Sequence, residues 1–372
     1  MKAGHFAPLV LLLATIALWF VPSAVPVAHD TTESLLARVV AVDNDDVQFA
    51  GIVPYGPQHL VVEMLEGPAA GRRLPAGNEL RAQLDIDKAF AVGDVVTIAW
   101  PKEGAKPGDT LVARDHYRLG WGAALFAGFV LLLVVFGGWT GFKAVLSFVF
   151  GCLAVWKLLV PLCLAGWNAV WVSFATVAIL TAVILYLVAG PTRKGLAAFL
   201  GAVVGIAASL GLAAFFSSVM HVNGATMPYV QALLNTGYEN LKIVDIFVGG
   251  ILLASSGAVM DLAMDIASAT DEVARHNPAL GFGPLLRSGL RVGRAVVGTM
   301  TTTLLLAYSG GYLTLLMMFA AQGTSPLVFL NSTLVSAELV KTLVGSFGLV
   351  LVAPSTAVVA AFLHSRHAQA AR

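Results

Sequence analysis

The sequence predicts an α-helical polytopic membrane protein with about eight transmembrane helices, one re-entrant or interfacial helix and a small exported β-rich domain. First, 58% of the 372 residues are hydrophobic and only 12% are charged, whereas soluble domains are about half apolar and about one quarter charged. Second, apolar runs of about 20 residues, long enough to cross the hydrocarbon core, recur along the chain. Third, residues 27–118 interrupt this pattern with short β-rich runs.

Residues 1–26 form the predicted N-terminal anchor. The run FAPLVLLLATIALWFVPSAV follows Lys2 and is apolar throughout. A cleaved signal peptide is the alternative, but the small residues Ala24 and Ala28 lie just after prolines and make a poor cleavage pattern. We therefore interpret the run as a retained anchor. Both interpretations export the segment that follows.

Residues 27–118 are predicted to form the exported β-rich domain. Runs such as LLARVVAVDN, HLVVEMLEG and DVVTIAWP are separated by Gly, Pro and Asp turns, as in a small barrel or sandwich, and an OB-like barrel is the specific expectation. OB folds that bind nucleic acid use a basic groove with stacking aromatic side chains. This segment has a net charge of −5 and few aromatic residues, so no nucleic acid partner is predicted.

Residues 119–363 are predicted to form the transmembrane helical bundle, and residues 364–372 a cytoplasmic tail. Apolar runs reach spanning length at about 119–138, 143–163, 169–189, 195–216, 242–261, 295–317 and 345–363. Together with the anchor they make eight spans. If the N-terminus lies inside, the basic residues at the inner ends of the spans are Lys2, Lys143, Arg193, Lys194, Arg275, Arg287, Arg291, Arg294, Arg366 and Arg372. Only Lys157, Lys242 and Lys341 lie at outer ends. The positive-inside rule thus places both termini in the cytoplasm of a bacterial plasma membrane and the β-rich domain outside.

Residues 325–344 do not fit as a ninth span, because a ninth crossing would move the basic C-terminus outside. Joined to the last span they would form one helix of about 58 Å, which is too long for one crossing. We therefore predict a re-entrant or interfacial helix that breaks from the last span at GSFG. Asn331, Glu338 and Thr342 fall within about 40° of one another on a helix and predict one polar stripe.

Two charged stripes are predicted on either side of the turn NPALGFGP. At 100° per residue, the acidic face holds Asp261, Asp265, Ser268 and Glu272, and the basic face holds Arg287, Arg291 and Arg294. In one interpretation the stripes form salt bridges at the membrane surface, with Asp271 and Arg275 as an i,i+4 pair. In the other, Asp261 and Asp265 line a polar cavity for a cation or proton, since ionisable groups at membrane depth usually mark pathways.

The run GTMTTTLLLAY places several hydroxyl groups inside a span, those of Thr299, Thr301, Thr302, Thr303 and Tyr308. Such hydroxyls commonly bond back to their own helix or across to a neighbour. They could also replace part of a solute's hydration shell, and Gly310 and Gly311 could let the helix bend. Gly201 and Gly205 are four residues apart and predict a close helix-packing seam.

Three motifs carry a resemblance to a known family: SSGAVMDLAMDIASATDEV, GTMTTTLLLAYSGG and NSTLVSAELVKTLVGSFGLVL. Together they resemble the YibE/F-like family of bacterial multispanning membrane proteins. The resemblance extends over nearly the whole chain, including the exported domain, and is densest at about 255–350. It implies the topology described above and carries a transport role as an expectation. Thr302 stands where the family pattern commonly has Asn, so a ligand role there would be weaker or taken by the hydroxyl.

Enzyme motifs are absent from the sequence. It contains neither a P-loop nor a G-x-S-x-G nucleophile elbow, and its eight histidines have no metal-ligand spacing. We therefore predict no catalytic residue, no metal site, no cofactor and no ATP hydrolysis by the chain itself.

Two functions remain open at this point. One is a permease or channel for an unidentified small solute or ion, with a pathway formed by the acidic residues and the threonines together with Tyr308, Asn331 and Glu338. The other is an envelope scaffold or assembly factor whose exported β domain docks partners. The predicted partners are accordingly the lipid bilayer, a small solute or ion, and a second copy of the chain or another envelope protein.

Overall fold

The computed structural model describes residues 3–21, 31–84, 86–104 and 109–370. The chain divides into two units, Pro26–Leu132 on the one hand and Met1–Val25 with Leu133–Arg372 on the other. Predictions that fall on Lys2 and Arg372 lie outside the described residues.

The first unit is a small β barrel. Its strands are β1 Thr32–Asp43, β2 Gln48–Ala50, β3 Val53–Met64, β4 Arg73–Arg81, β5 Val95–Pro101 and β6 Leu111–His116. The long strand β1 pairs antiparallel with both β3 and β5, and β4 pairs parallel with β6. The five long strands therefore close in the order β1-β3-β4-β6-β5, as expected for an OB-like barrel.

The barrel interior is filled by alternate residues of its strands, because successive side chains of a strand point to opposite faces. Val39, Val62, Val96 and Ile98 are almost completely buried. The buried amide of Gln58 is also fully used, since it accepts a hydrogen bond from the Phe90 N–H and donates to the Phe90 carbonyl. The predicted β-rich domain is thus confirmed.

The remaining elements are helices. They are α1 Ala3–Phe20, α2 Leu119–Ala154, α3 Val160–Leu164, α4 Ala169–Ala189, α5 Arg193–Val219, α6 Val230–Asn235, α7 Ile243–His276, α8 Phe282–Gly311, α9 Leu313–Ala321, α10 Pro326–Asn331 and α11 Thr333–Ala370. A π-helical turn, Val155–Leu159, joins α2 to α3.

Five helical stretches of the described chain are long and apolar enough to cross a membrane: Leu119–Leu164, Ala169–Ala189, Arg193–Val219, Ile243–His276 and Thr333–Ser365. A sixth is added if α8 and α9, which are bent by 65° relative to each other, form one span. This bend follows the predicted flexible pair Gly310 and Gly311. The N-terminal run is a shorter apolar helix, Pro8–Phe20. The protein is therefore multispanning, but the predicted count of about eight is not established.

The predicted spans 119–138 and 143–163 lie in one helical stretch with a sharp bend. Gly138 adopts a positive φ of 52°, a conformation that costs little only for glycine. A Cβ atom on Gly141 would collide with the Leu133 carbonyl, although residues eight apart in a straight helix are about 12 Å apart. The helix axis thus turns abruptly within α2.

Helices α4, α5, α7, α8 and α11 form a bundle. We call one end of it the basal end, because α5 and α8 begin there and α4, α7 and α11 end there. Arg193, Asp271, Leu285 and His364 line one cavity at this end. The opposite end, where α7 and α11 begin, is the distal end.

The predicted helix break at GSFG is wrong. Helix α11 runs without interruption from Thr333 to Ala370, and the chain breaks instead at Ser332, whose ψ is 142°. The glycines of GSFG serve close packing, because a Cβ atom on Gly348 would collide with the Ser209 hydroxyl of α5. Residues 325–344 are therefore not a separate re-entrant or interfacial helix, and most of them belong to the last span.

The predicted seam at Gly201 and Gly205 is present between α5 and α11. A Cβ atom on Gly201 would collide with Thr356, and one on Gly205 would lie 3.0 Å from the Val352 Cβ. Small residues at such positions let two helix backbones approach closely, which is the main source of helix association in lipid. The bundle is thus held by close backbone contact around a core of small and aliphatic side chains.

Candidate functional site

A group of polar side chains lies at the distal end of the bundle, and we call Tyr308, Glu338, Lys341 and Thr342 the distal polar cluster. Lys341 Nζ donates to Glu338 Oε1 at 2.6 Å. Each of these two side chains is 23% exposed. They are three residues apart on α11, so they lie on the same face of the helix. Glu338 is a site residue predicted from the sequence, and Lys341 is its local partner in the structure.

Lys341 is held against α7 as well as against Glu338. Its Nζ lies 5.6 Å from the centre of the Phe247 ring, and Phe247 is only 1% exposed. An ammonium group over an aromatic face is stabilised by the ring's negative face, more strongly where water is excluded. The ion pair is therefore anchored between two helices of the bundle.

Two hydroxyl groups beside this ion pair have no hydrogen-bond partner among the described residues, those of Tyr308 and Thr342. The Tyr308 hydroxyl lies 3.4 Å from the position that a Cβ on Gly345 would occupy, one helical turn after Lys341 on α11. Buried polar groups in native structures are normally satisfied by protein, ordered water or a ligand. The two hydroxyls therefore have hydrogen-bonding capacity that the described protein atoms leave unused.

A second polar site lies at the basal end, and we call it the basal cavity. It has a volume of about 540 Å³ and is lined by Thr192, Arg193, Asp271, Ala274, Arg275, Asn277, Pro278, Leu280, Leu285 and His364. Arg275 lies 2.9 Å from Asp271, which is the i,i+4 pair expected from the sequence. The ring of His364 lies 3.7 Å from the same carboxylate. The cavity thus presents both signs of charge.

The two sites lie near opposite ends of α11. Glu338 and His364 are 26 positions apart, or about 39 Å at 1.5 Å per residue, somewhat more than the roughly 30 Å of hydrocarbon in a bilayer. Between them α11 packs against α5, α7 and α8 through buried apolar residues such as Leu349, Val352 and Ala357. The bundle therefore has a charged site at each end, and between them a largely aliphatic core that also buries hydroxyl groups such as those of Ser209 and Thr356.

The acidic residues Asp261 and Asp265 do not join either site. Both lie on the outer face of α7 and are exposed, whereas Leu262 and Ile266 on the opposite face are completely buried. The two carboxylates lie one turn apart, but they do not converge with the threonines on a shared cavity.

The threonine hydroxyls make their hydrogen bonds within α8. Their hydroxyls donate to backbone carbonyls of the preceding turn: Thr299 to Val296, Thr301 to Val297, Thr302 to Gly298 and Thr303 to Thr299. This is the structural role that the sequence analysis gave as the common one. Thr302, where the family pattern has Asn, is exposed on α8.

The predicted pairing of the acidic and basic stripes is not made within the described chain. Glu272 instead lies 2.8 Å from the His276 ring on its own helix. The basic side chains Arg287, Arg291 and Arg294 are exposed on α8. No ion pair between α7 and α8 occurs in the described ranges, so stripe pairing stays a prediction.

Asn331 lies apart from the distal polar cluster. It is the exposed last residue of α10, and the break at Ser332 separates it from α11. Its predicted place on one helical stripe with Glu338 and Thr342 is therefore wrong.

The basal cavity was not predicted from the sequence. His364 is one of eight histidines without metal-ligand spacing, and Arg193 served only to predict the topology. Arg193, Asp271 and His364 come from three helices, α5, α7 and α11, that are far apart in the sequence. No local sequence motif therefore indicates that they lie together. Among the described residues, no group of three or more His, Cys, Asp or Glu side chains has the geometry of a metal site.

Comparison with known proteins agrees with this architecture. The family model of the YibE/F-like proteins matches residues 125–366, which include the whole bundle and both polar sites. The match does not include the β barrel, so the resemblance is shown for a smaller part of the chain than the sequence motifs suggested. No curated protein and no solved structure matches significantly. The chain belongs to the YibE/F-like protein family.

Proposed function

We propose that this protein is a permease for a small polar solute or ion, and that the distal polar cluster is part of its pathway. The observation that carries the proposal is the Glu338–Lys341 ion pair beside two buried hydroxyls without partners. Ionisable side chains within transmembrane helices are rare, face the bundle interior or a water-filled cavity, and commonly mark solute or ion pathways.

The arrangement of the two polar sites supports the same function. In alternating access, parts of a carrier move against each other so that a polar site opens to each side of the membrane in turn. The distal polar cluster and the basal cavity lie at opposite ends of one bundle, and the core between them is largely aliphatic with buried hydroxyl groups such as those of Ser209 and Thr356. Helix α11 contributes to both sites, so a movement of this helix would couple them.

The chemistry of the cluster limits the solute class. Glu338 offers a carboxylate, Lys341 an ammonium group, and Tyr308 and Thr342 offer hydroxyls. A solute that exchanges places with one partner of the ion pair must itself be charged or strongly polar. Because the sequence contains no P-loop, the energy for transport would come from an ion gradient or from the solute gradient itself.

We place the basal end in the cytoplasm, in a bacterial plasma membrane. Arg193, Lys194 and Arg275 lie at or near the ends of α5 and α7 there, as the positive-inside rule requires. Reporter fusions test this orientation. An export-dependent phosphatase should be inactive when fused after Thr192 or Asn277 and active after Ala105 or Gly323. Activity at Asn277 would reverse the orientation.

Solute profiling tests the permease proposal directly. Cells that lack the protein should differ from complemented cells in uptake or efflux of one class among metal ions, amino acids and organic acids. The wild-type chain should restore that flux. A complete panel with no difference in any flux, together with normal expression of the complementing chain, would count against transport.

The alternative is an envelope scaffold, and one observation favours it. The β2–β3 hairpin exposes two large apolar side chains, with Phe49 68% and Ile52 87% exposed. Exposed apolar groups of this kind often mark contact surfaces, although single ones are common. Under this alternative, replacing Phe49 and Ile52 with Ser would abolish complementation, whereas changes in the distal polar cluster would have no effect on it.

A further inference from the structure

Three arginine side chains lie on the outer face of α8, and we call Arg287, Arg291 and Arg294 the arginine row. They fall within about 60° of one another at 100° per residue, and all three are exposed. Gly289 and Gly293 lie on the roughly opposite face of α8, where a Cβ atom on either would lie within 3.2 Å of side chains from both α7 and α11. The arginine row therefore points out of the bundle.

The arginine row has no countercharge among the described residues. In the described ranges, no ion pair within 4.0 Å includes any of its three guanidinium groups. On the neighbouring helix α7, Asp271 and Glu272 are paired with residues of α7 itself. Asp261 and Asp265 lie on a different face of that helix from Ile266, which packs against α8. The described chain therefore leaves three positive charges for another molecule to neutralise.

Helix α4 marks the hydrocarbon layer on this bundle. It consists of 21 uncharged residues, Ala169–Ala189, and is about 32 Å long, which matches the roughly 30 Å of hydrocarbon in a bilayer. Gly249 of α7 packs against Ser173 of α4, and both helices run from the distal end to the basal end. Sixteen positions further along each helix, Asp265 of α7 is therefore level with the basal end of α4.

The arginine row extends outward from this level. Gly293 of α8 packs on Ile266 of α7, and α8 runs in the opposite direction, so Arg294 is level with the basal end of α4. Arg291 and Arg287 lie about 4.5 Å and about 10.5 Å further out along the helix. The polar headgroup layer on each side of a bilayer is about 5–8 Å thick. The arginine row therefore crosses the layer that holds the lipid phosphates.

The same face of α8 continues into the hydrocarbon layer as an uncharged strip. Gly298 and Leu305 follow Arg294 by 4 and 11 positions and lie within about 40° of it on the helix. Both are exposed, and a Cβ atom on Gly298 would meet no atom within 4 Å. Thr301, which lies between them, donates its hydroxyl to a carbonyl of α8 itself. The strip therefore offers a shallow space for an acyl chain beside the guanidinium groups.

We propose that the arginine row binds the headgroup of an anionic phospholipid, with the phosphate on the guanidinium groups and an acyl chain along Gly298 and Leu305. A guanidinium group presents a planar fork of N–H donors that matches the oxygen atoms of a phosphate. Basic residues at the cytoplasmic surface of a membrane attract anionic lipids. A phospholipid occupies both the charged row and the uncharged strip, whereas a free phosphate would occupy only the row. The site does not depend on the permease proposal.

Lipid binding to the purified full-length protein in a neutral detergent tests the site. The probe is phosphatidylglycerol with a fluorophore on one acyl chain, and its displacement by unlabelled phosphatidylglycerol gives the Kd. Phosphatidylcholine with the same acyl chains should displace the probe at least about tenfold more weakly, because its headgroup carries no net charge. Millimolar inorganic phosphate should not displace it. Equal displacement by the two lipids would overturn the proposal, and displacement by inorganic phosphate would assign the row to a free anion instead of a lipid.

Charge-removing variants separate the arginine row from general attraction to the basic end of the bundle. Arg291→Gln should raise the Kd for phosphatidylglycerol roughly fivefold, and Gln at all three positions about a hundredfold, because each basic residue near the surface adds a similar share of the attraction. Lys194→Gln is the matched control, since Lys194 lies in the first turn of α5 at the same end but outside the row. It should change the Kd less than about twofold.

Two results would contradict the site: an equal loss of binding for Lys194→Gln and Arg291→Gln, or a triple variant that binds like the wild type. If the triple variant does not accumulate, the three single Gln variants of the row provide the test. Each should raise the Kd roughly fivefold. Wild-type binding by all three would overturn the proposal.

Discussion

Replacing Glu338 with Gln is expected to lower transport roughly 10- to 100-fold while the protein stays in the membrane at near wild-type abundance. The amide is nearly isosteric with the carboxylate and removes only the charge. A hydrogen bond to a charged group contributes about 1.5–3 kcal/mol, and each 1.4 kcal/mol corresponds to a factor of ten. If the solute binds to this carboxylate, removing the negative charge should weaken solute binding and therefore lower transport. Lys341 keeps its place over Phe247 and its access to water, so the fold should persist.

The measurement is restoration of the affected flux in cells lacking the protein, beside immunoblots of the membranes. Glu239→Gln is the matched control, because Glu239 is exposed in the connection before α7 and should leave both readouts unchanged. If Glu338→Gln instead lowers abundance while the surviving protein transports normally per molecule, the carboxylate is a structural partner of Lys341. Full transport at normal abundance would remove Glu338 from the site.

Replacing Gly201 with Ala is expected to destabilise the bundle strongly. The added methyl group would collide with Thr356 on α11, and both helices must shift to make room. Overpacking a well-packed core typically costs about 1–3 kcal/mol. The helices α5 and α11 form the most extensive contact of the bundle, so a large part of the protein should be lost or should melt at a clearly lower temperature in detergent.

Gly211→Ala provides the control for this prediction within the same helix. Gly211 is exposed, and a Cβ there would meet no atom within 4 Å. Alanine is favoured over glycine in helices by about 1 kcal/mol, so this variant should be as stable as the wild type or more stable. If the two variants melt alike, the close contact of α5 with α11 is not what holds the bundle.

Local patterns predicted well what depends on neighbouring residues. The alternation of apolar residues and the turn-rich breaks of residues 27–118 indicated the barrel, because strand side chains alternate faces regardless of the rest of the chain. The predicted pair Asp271–Arg275 is separated by only four positions. Helical spacing alone therefore places them on one face.

Features that depend on distant packing were not predictable. The glycines of GSFG indicated a helix break, yet Gly348 is required for the approach of Ser209, which is 139 positions earlier in the chain. The basal cavity forms where Arg193, Asp271 and His364 meet from three helices. Asn331 shared a helical face with Glu338 only as long as the helix was assumed to be continuous through Ser332.

The position of Asp261 and Asp265 on the outer face of α7 was also not predictable from the sequence. Helical periodicity correctly separated their face from that of Leu262 and Ile266, but it did not determine which face points inward. The aliphatic face of α7 is buried because it packs against four other helices. A carboxylate on that face would lose its hydration without gaining a partner.

The accessibility of Thr342 to water tests the central claim, that the distal polar cluster lies on a solute pathway, most directly. Its side chain is buried and its hydroxyl has no partner among the described residues. In a chain with Cys152 and Cys163 replaced by Ser, Thr342→Cys should react with a membrane-impermeant thiol reagent added to the exported side. Thr181→Cys should not react, because Thr181 is equally buried within α4 and donates its hydroxyl to the Val177 carbonyl. A Thr342→Cys variant as unreactive as Thr181→Cys would show a dry, packed cluster and contradict the pathway.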